Sequence, residues 1–154
     1  MDSIASAAAA VVKTTVDAVT AAPRSNTKSR FRDDFTFDKR LEVSTTVLRK
    51  YPDRIPVIVE RAASEHTLAD VLQKKFLIYG DATVGKLLFE VRKNVVALQP
   101  HQALFLFIID GDNPRAPAVL PVASATMSEI YRRYKNADGF VYCVYSGETC
   151  FGFE

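Results

Sequence analysis

Residues 50–60 read KYPDRIPVIVE, and the part of this stretch from residue 54 to residue 61 (RIPVIVER) has the composition of a β-strand. Its β-branched residues, which favour extended backbone, are Ile55, Val57, Ile58 and Val59. Pro56 has no N–H to donate to a ladder, so it predicts a sheet edge or a bulge at that point. Pro52 is expected to end the element before it. The stretch therefore predicts a boundary between a helix and the first strand of a sheet.

The residues before this stretch predict a helix that leads into the strand. Its apolar face, taken from helical spacing, consists of Phe37, Leu41, Leu48 and Tyr51. The folded body is expected to start near Phe31, because residues 1–30 differ in composition. They are rich in small residues and end in a linker, PRSNTKSR. We expect residues 1–30 to be a flexible extension; the alternative is a helix that forms against a membrane or a partner.

Three further strands and two further helices are predicted after the first strand. The strands are residues 76–79 (FLIY), 103–109 (ALFLFII) and 140–145. The first helix is indicated by apolar spacing at Val84, Leu87, Leu88, Val91 and Val95. The second helix begins with a capping-box pattern formed by Thr126 and Glu129. A helical turn is also expected at residues 68–72, within the connection between the first two strands.

This order of elements predicts the fold class. The first two strands are joined by residues 62–75 and can pair antiparallel, whereas the later helices provide the crossover that parallel pairing requires. Four strands with packed helices make an α+β fold with a mixed sheet. The pattern is that of a β-grasp domain with extra helical sequence in front.

Composition narrows the class of protein. The chain has 154 residues, of which 48% are hydrophobic and 25% charged, which is typical of one globular domain with a tail. Its net charge of +2 is too small to favour nucleic-acid binding. The start lacks the basic region of a secretory signal, and no apolar run approaches the ~20 residues of a membrane span. We expect a cytoplasmic protein with no metal or cofactor.

One motif resembles a nucleotide-binding loop. Residues 80–86 (GDATVGK) match the G-x-x-x-x-G-K pattern and lie between a predicted strand and a predicted helix. Leu87, however, stands where the motif needs a Ser or Thr hydroxyl for magnesium. A nucleotide-binding enzyme therefore stays an alternative, and the simpler interpretation is a glycine-shaped turn into an amphipathic helix.

The sequence gives even less support for a catalytic site than for a nucleotide-binding loop. His66 and His101 lie in polar connecting segments, and Cys143 lies in an apolar strand, where it is expected to be a buried small hydrophobe. Cys150 lies in the tail, where a nucleophile lacks a structured base. The DGDN sequence at residues 110–113 resembles a calcium loop only in part, because its glycine is misplaced.

The predicted strand at residues 76–79 does not alternate between apolar and polar residues, as a one-faced edge strand should. It is either covered on both faces or forms a binding edge with apolar pockets beside open backbone groups. Basic residues stand close to it and to the first strand, which indicates either a solvated basic face or a rim for acidic peptides. These residues are Arg49, Lys50, Arg54, Lys74 and Lys75.

The chain ends shortly after its last predicted strand, in the sequence FGFE at residues 151–154. Gly152 is compatible with a simple frayed end. A near-terminal glycine is also what a conjugated modifier needs, because a residue without a side chain fits the narrow channel of a protease or an activating enzyme.

Several blocks of this sequence resemble the autophagy ubiquitin-like modifiers, a family that includes the GABA-receptor-associated protein and microtubule-associated protein light chain 3. The blocks are residues 50–60 (KYPDRIPVIVE), 83–85 (TVG), 124–127 (SATM), 145–146 (YS) and 151–152 (FG). They share one collinear register over about residues 31–152. The resemblance implies a ubiquitin-like fold with two additional N-terminal helices.

The resemblance also implies a function. A family-specific cysteine protease would cleave between Gly152 and Phe153, leaving Phe151 and Gly152 at the new end. Ubiquitin-like activating and conjugating enzymes would then join Gly152 to phosphatidylethanolamine, which would move the protein from the cytoplasm to the autophagosome membrane. The chain would be a substrate of enzymes and not an enzyme. On the membrane it would recruit receptors that carry an aromatic-x-x-aliphatic peptide motif.

Two pockets for that peptide follow from the resemblance by register. The aromatic pocket would be lined by Val43, Val47, Pro56, Lys75, Leu77 and Phe140. The aliphatic pocket would be lined by Phe76, Ile78, Tyr79, Ala82, Val84, Leu87 and Val91. Arg54 would support the acidic side of the peptide. This assignment agrees with the unusual composition of residues 76–79.

The chain departs from the family pattern at several positions. Val43 stands where the family often has an acidic residue, Ala82 replaces a larger Leu, and Asn94 replaces a basic residue. The loop at residues 110–121 is longer than the family loop. The expected organisation is an extension (1–30), a ubiquitin-like domain (31–147) and a processed tail (148–154). The alternative is a ubiquitin-like interaction scaffold that is never conjugated.

Overall fold

A computed structural model describes residues 30–148 of the chain. The predicted extension at residues 1–29 and the tail with Phe151, Gly152 and Phe153 lie outside the described residues. The elements, in chain order, are α1 (Phe31–Asp34), α2 (Phe37–Lys50), β1 (Arg54–Arg61), β2 (Lys75–Tyr79), α3 (Val84–Asn94), β3 (Phe105–Ile109), α4 (Met127–Tyr134) and β4 (Val141–Ser146).

The four strands form one mixed sheet in the order β2-β1-β4-β3. The two central strands, β1 and β4, run parallel, and each outer strand pairs antiparallel with its neighbour. The predicted α+β fold, a ubiquitin-like β-grasp with two additional N-terminal helices, is confirmed. The predicted capping box is also present, because Thr126 and Glu129 exchange hydrogen bonds at the start of α4.

β1 is an interior strand, so the prediction of an edge or a bulge at Pro56 needs correction. Val59 donates its N–H to Lys74 on the β2 side, and Ala62 donates its N–H to Tyr145 on the β4 side. By alternation, the missing N–H of Pro56 faces the β4 side. Pairing with β4 begins only at Val57, so the proline removes no ladder hydrogen bond.

The two faces of the sheet carry separate apolar clusters. The main core joins α3 and α4 to one face and contains, among others, Val57, Ile78, Leu87, Val91 and Met127. The opposite face is packed against α1 and α2. This second group, called the helix-side cluster below, consists of Phe31, Phe35, Val43, Val47, Ile58, Leu77, Phe140 and Tyr142. Side chains of β2 enter both clusters, because successive residues of a strand point to opposite faces.

The apolar face predicted for α2 is wrong at Phe37 and Leu41, whereas Leu48 is partly buried and Tyr51 packs against the helix-side cluster. Phe37 and Leu41 are exposed, and the face that packs on the sheet is that of Val43 and Val47. The reason is a buried ion pair: Arg40 Nε lies 2.9 Å from the carboxylate of Asp138, which is itself almost fully buried. Burying this charged pair, together with Val43 and Val47, sets the rotation of the helix about its axis.

The connection between β1 and β2 does not contain the helical turn predicted at residues 68–72. Val71 instead forms an isolated bridge with Val95, and Leu72 donates its N–H to the carbonyl of Asn94. Leu68 and Val71 both reach the main core from this extended segment. The connection is therefore held by pairing with the end of α3. No helix within residues 30–148 is both long and apolar enough to cross a membrane.

Candidate functional site

The outer edge of β2 is open within the described part of the chain. β2 pairs only with β1, and Phe76 lies opposite Val57 in that ladder. Because Val59 donates its N–H to Lys74 in the same ladder, the backbone groups of Phe76 face β1 by alternation, while the N–H and C=O of Leu77 point outward. No described residue forms a hydrogen bond with these outward groups of Leu77. An extended peptide would find a donor and an acceptor there.

The opposite edge of the sheet is partly closed. Ile108 of β3 donates its N–H to the carbonyl of Val119 at 2.7 Å, and Val119 donates back to Ile108 at 2.8 Å. Val119 belongs to the long loop at residues 110–121. The loop thus occupies part of the β3 edge with a bridge of its own and leaves β2 as the more accessible edge.

The residues predicted to line the aromatic pocket lie together on the α2 side of this edge. Val43, Val47, Leu77 and Phe140 all belong to the helix-side cluster. Pro56 is the cross-strand partner of Leu77, and Lys75 is the next residue of β2 whose side chain is on this face. None of the four cluster residues is more than 4% exposed, so this group is closed in the structure.

The residues predicted to line the aliphatic pocket fall into two sets. Tyr79 and Ala82 are partly exposed at the end of β2 and just after it. The others are buried in the main core on the opposite face of the sheet, and they are Phe76, Ile78, Val84, Leu87 and Val91. By alternation Tyr79 lies on the α2 face with Leu77, so its assignment to the aliphatic pocket does not fit the structure, whereas Ala82 packs against the main core. The remaining residues of the two predicted pockets lie on opposite faces of the sheet, with β2 as the common wall.

Arg54 places a positive charge at the end of this edge. It is the cross-strand partner of Tyr79, and its guanidinium donates to the Tyr79 hydroxyl at 2.6 Å. The same guanidinium lies 4.0 Å from the centre of the Tyr79 ring and 5.4 Å from that of Tyr51, within cation–π range. The two aromatic rings hold the charge in place. The Nε atom of Arg54 is buried without a hydrogen-bond partner in the structure.

The GDATVGK loop does not present a free phosphate cradle. Gly80 donates its N–H to Asp53, while Val84 and Gly85 donate to the carbonyls of Ala125 and Ala123. The N–H of Lys86 is bonded to the side chain of Thr83, which caps α3. A P-loop binds phosphate through such amides, and here protein groups already occupy them. The structure supports the simpler interpretation of a capped turn.

The other reactive side chains do not converge. Cys143 is 1% exposed, and burial raises the pKa of its thiol, which confirms the prediction of a buried hydrophobe. His66 and His101 are exposed in their connecting segments. Among residues 30–148 no group of acidic, histidine and cysteine side chains is arranged to hold a metal ion.

Comparison with known proteins identifies the family. A family model described as "Autophagy protein Atg8 ubiquitin like" matches residues 39–152. The chain is 42% identical over 125 residues to the autophagy-related protein 8 of Schizosaccharomyces pombe, covering 81% of this chain and 95% of that protein. This chain belongs to the Atg8 family. The proteins of the same name from Dictyostelium discoideum and Aspergillus niger are 42% identical over 124 residues and 39% identical over 125 residues. These matches cover 80% and 81% of this chain, and 94% and 98% of the relatives.

Atg8 family membership accounts for the β-grasp fold and for the ubiquitin-like, autophagy-related character of the chain. The family match runs from the first turn of α2 to Gly152, so it includes both the open edge and the tail as far as Gly152. Residues 1–38, which contain the predicted extension, α1 and the first two residues of α2, lie outside the match.

Sequence reasoning missed one buried carboxylate of this Atg8-family chain. Glu65 is only 6% exposed, although it lies in the polar connection between β1 and β2. It accepts hydrogen bonds from both its own connection and the end of β4. No periodicity marks such a residue; the nearest signal is the run of polar residues SEHT at positions 64–67, where a side chain can cap a local turn.

Proposed function

We propose that this chain is a ubiquitin-like modifier of autophagy that is cleaved after Gly152 and joined to phosphatidylethanolamine. A family-specific cysteine protease removes Phe153 and Glu154, and ubiquitin-like activating and conjugating enzymes attach the Gly152 carboxyl to the lipid amine. The chain is the substrate of these enzymes. It is cytoplasmic before conjugation and resides on the autophagosome membrane afterwards, where it recruits receptors and adaptors.

The observation that carries the recruitment step is the position of the two predicted pockets on either side of β2. A receptor peptide that adds as a strand beside Leu77 points successive side chains to opposite faces. Residues three apart, as in an aromatic-x-x-aliphatic motif, therefore face opposite sides. One of them would meet the helix-side cluster and the other the edge of the main core. The motif spacing fits this arrangement.

The helix-side cluster is closed in the structure, which bears on how an aromatic side chain would enter it. Val47 of α2 and Leu77 of β2 belong to this one cluster and are 2% and 1% exposed. An aromatic side chain can enter only if α2 residues and β2 residues separate. The affinity of the peptide is then reduced by the free energy of this opening.

Positive charge at the edge favours peptides with acidic residues next to the motif. Arg54 is fixed by Tyr79, and Lys74 and Lys75 stand at the start of β2. Lys74 also lies 3.3 Å from Glu60, so part of its charge is compensated. Charge pairs at the rim of an interface add modest affinity and mainly increase the association rate.

The test of the proposal is conjugation with purified components. The full chain is incubated with the family protease, the activating and conjugating enzymes, ATP and vesicles that contain phosphatidylethanolamine. We expect a lipid adduct on Gly152, and we expect Gly152→Ala to abolish it because a β-carbon must enter a channel shaped for none. Glu42→Ala, at an exposed position of α2, should leave conjugation unchanged. A chain that binds receptor peptide but forms no adduct would be a non-conjugated scaffold.

A further inference from the structure

Glu65 joins two segments that are distant in sequence. One carboxylate oxygen accepts the N–H groups of Thr67 at 2.7 Å and Leu68 at 2.8 Å, within the connection between β1 and β2. The other accepts the N–H of Gly147 at 2.7 Å and the hydroxyl of Ser146 at 3.1 Å. All four donors are neutral. We call these five residues the Glu65 clamp.

The hydrogen bonds of the clamp stabilise the ionised form of the Glu65 carboxyl. Burial by itself raises the pKa of the carboxyl, but the amides of Gly147, Leu68 and Thr67 and the Ser146 hydroxyl outweigh that effect. The pKa of Glu65 therefore lies below its ordinary value. An ionised carboxylate can accept four hydrogen bonds at once, whereas an amide side chain of the same shape cannot. The clamp thus depends on charge as well as on size.

The clamp lies where the chain leaves the fold. Ser146 is the last residue of β4, and Gly147 packs closely against its surroundings: an added β-carbon would come within 3.4 Å of the Glu65 carboxylate. The fifth residue after Gly147 is Gly152. Five extended residues span at most about 18 Å, so fixing Gly147 limits how far Gly152 can reach.

The surface beside the clamp is concave and accessible. A cleft there is lined by exposed or partly exposed residues that include His66, Gln102, Ala103 and Glu148. An enzyme that grips the tail meets this cleft directly where the tail begins. The clamp therefore fixes the start of the tail relative to the surface of the body that such an enzyme would contact.

We propose that Glu65 is a positioning residue for the processing of Gly152, acting through Ser146 and Gly147. This inference rests on the proposed function. The clamp holds Gly147 to the folded body just beyond the last ladder pair of β4, in which Ser146 lies opposite Phe105. Without the clamp Gly147 is no longer held and must be ordered when the enzyme binds. The clamp then lowers KM and leaves the bond-breaking step unchanged.

The test compares Glu65→Gln with the wild-type full chain. We expect the variant to raise KM for the processing protease about 5- to 10-fold, with kcat within about twofold, because one further residue, Gly147, must be ordered on binding. Amide hydrogen exchange at Gly147 should accelerate in parallel. Glu42→Gln is the matched control, because Glu42 is exposed and pairs only with Lys39 on the surface of α2; its kinetics should equal those of the wild type.

A second variant keeps the proposal testable if Glu65→Gln does not fold. Ser146→Ala removes one clamp hydrogen bond, together with the one that the Ser146 hydroxyl accepts from the N–H of Glu148, and should raise KM about twofold, even if Glu65→Gln fails to fold. Equal KM for wild type and both variants, with cleavage after Gly152 intact, would overturn the clamp inference alone. A fall in kcat without a change in KM would overturn it too. A wild-type chain that is not cut after Gly152 would instead contradict the proposed function.

Discussion

Leu77 combines the two properties that a strand-addition site requires. Its backbone N–H and C=O point away from β1, and its side chain is a member of the helix-side cluster together with Val47 and Phe140. A bound peptide would therefore contact one residue in two ways: through main-chain hydrogen bonds and through the pocket that receives its aromatic side chain. No other residue of β2 has both an outward backbone and a place in this cluster.

Leu77→Ala should weaken receptor binding. Removing a well-packed anchor costs about 2 kcal/mol, or roughly 30-fold in affinity. Titration of a fluorescent acidic aromatic-x-x-aliphatic peptide measures the change. Leu72→Ala is the matched control, because Leu72 is 75% exposed just before the strand. Since Leu77 is buried, urea unfolding must show that the variant is folded. Equal affinity of wild type and Leu77→Ala would place the peptide elsewhere.

Glu65 gives a signed prediction for acid stability. Its pKa in the folded protein lies below the value in the unfolded chain, which is about 4.3. Its stabilisation is therefore complete above the unfolded value and is lost as the pH falls through the folded value. The difference in unfolding free energy between wild type and Glu65→Gln should be largest at about pH 7 and shrink below about pH 4. Urea unfolding at several pH values measures it; a difference that does not change with pH contradicts this account.

At the scale of elements, β2 could be recognised in the sequence but its neighbours could not. The run FLIY predicts a strand without alternation, and it left two interpretations: cover on both faces or a binding edge. The structure confirms cover on both faces, and no other described strand pairs with the outer edge of β2. Peptide binding at that edge stays a prediction. Which strand lies at the edge depends on the sheet order, which local sequence does not contain.

The two faces of β2 also make a prediction about peptide spacing. A peptide with two residues between its aromatic and aliphatic side chains should bind at least about 10-fold more tightly than the same peptide with one residue between them. The shorter spacing puts both side chains on one face, so one pocket stays empty. Fluorescence competition between the two peptides measures this. A preference for the shorter spacing would show that the pockets do not lie on opposite faces.

The rotation of α2 shows where pattern reasoning fails. Phe37 and Leu41 are large and apolar, and hydrophobic periodicity assigned them to the buried face. The structure instead buries Arg40 and Ser44, because each of them finds a partner in Asp138. A buried arginine has no signature in the sequence of one helix; it depends on a residue 98 positions further along the chain.

At the scale of the whole molecule, the order of elements from α2 to β4 was predictable because each of them has a local signal, whereas α1 came only from the family resemblance. Thr126 and Glu129 mark a helix start, and the β-branched run at residues 54–61 marks a strand. Long-range contacts had no such signal, including the Glu65 clamp and the bridge of Val119 to β3. The pocket residues came from family resemblance, since many of them are ordinary core residues by composition.

The most direct test of the account is the intact mass of the full chain before and after incubation with the family protease or a cell lysate that contains it. The account predicts the loss of one Phe and one Glu, which leaves Gly152 at the end of the chain. It also predicts no loss from Gly152→Ala. An unchanged mass of the wild-type chain, or the removal of any other set of residues, would contradict the central claim that this Atg8-family chain is a processed modifier.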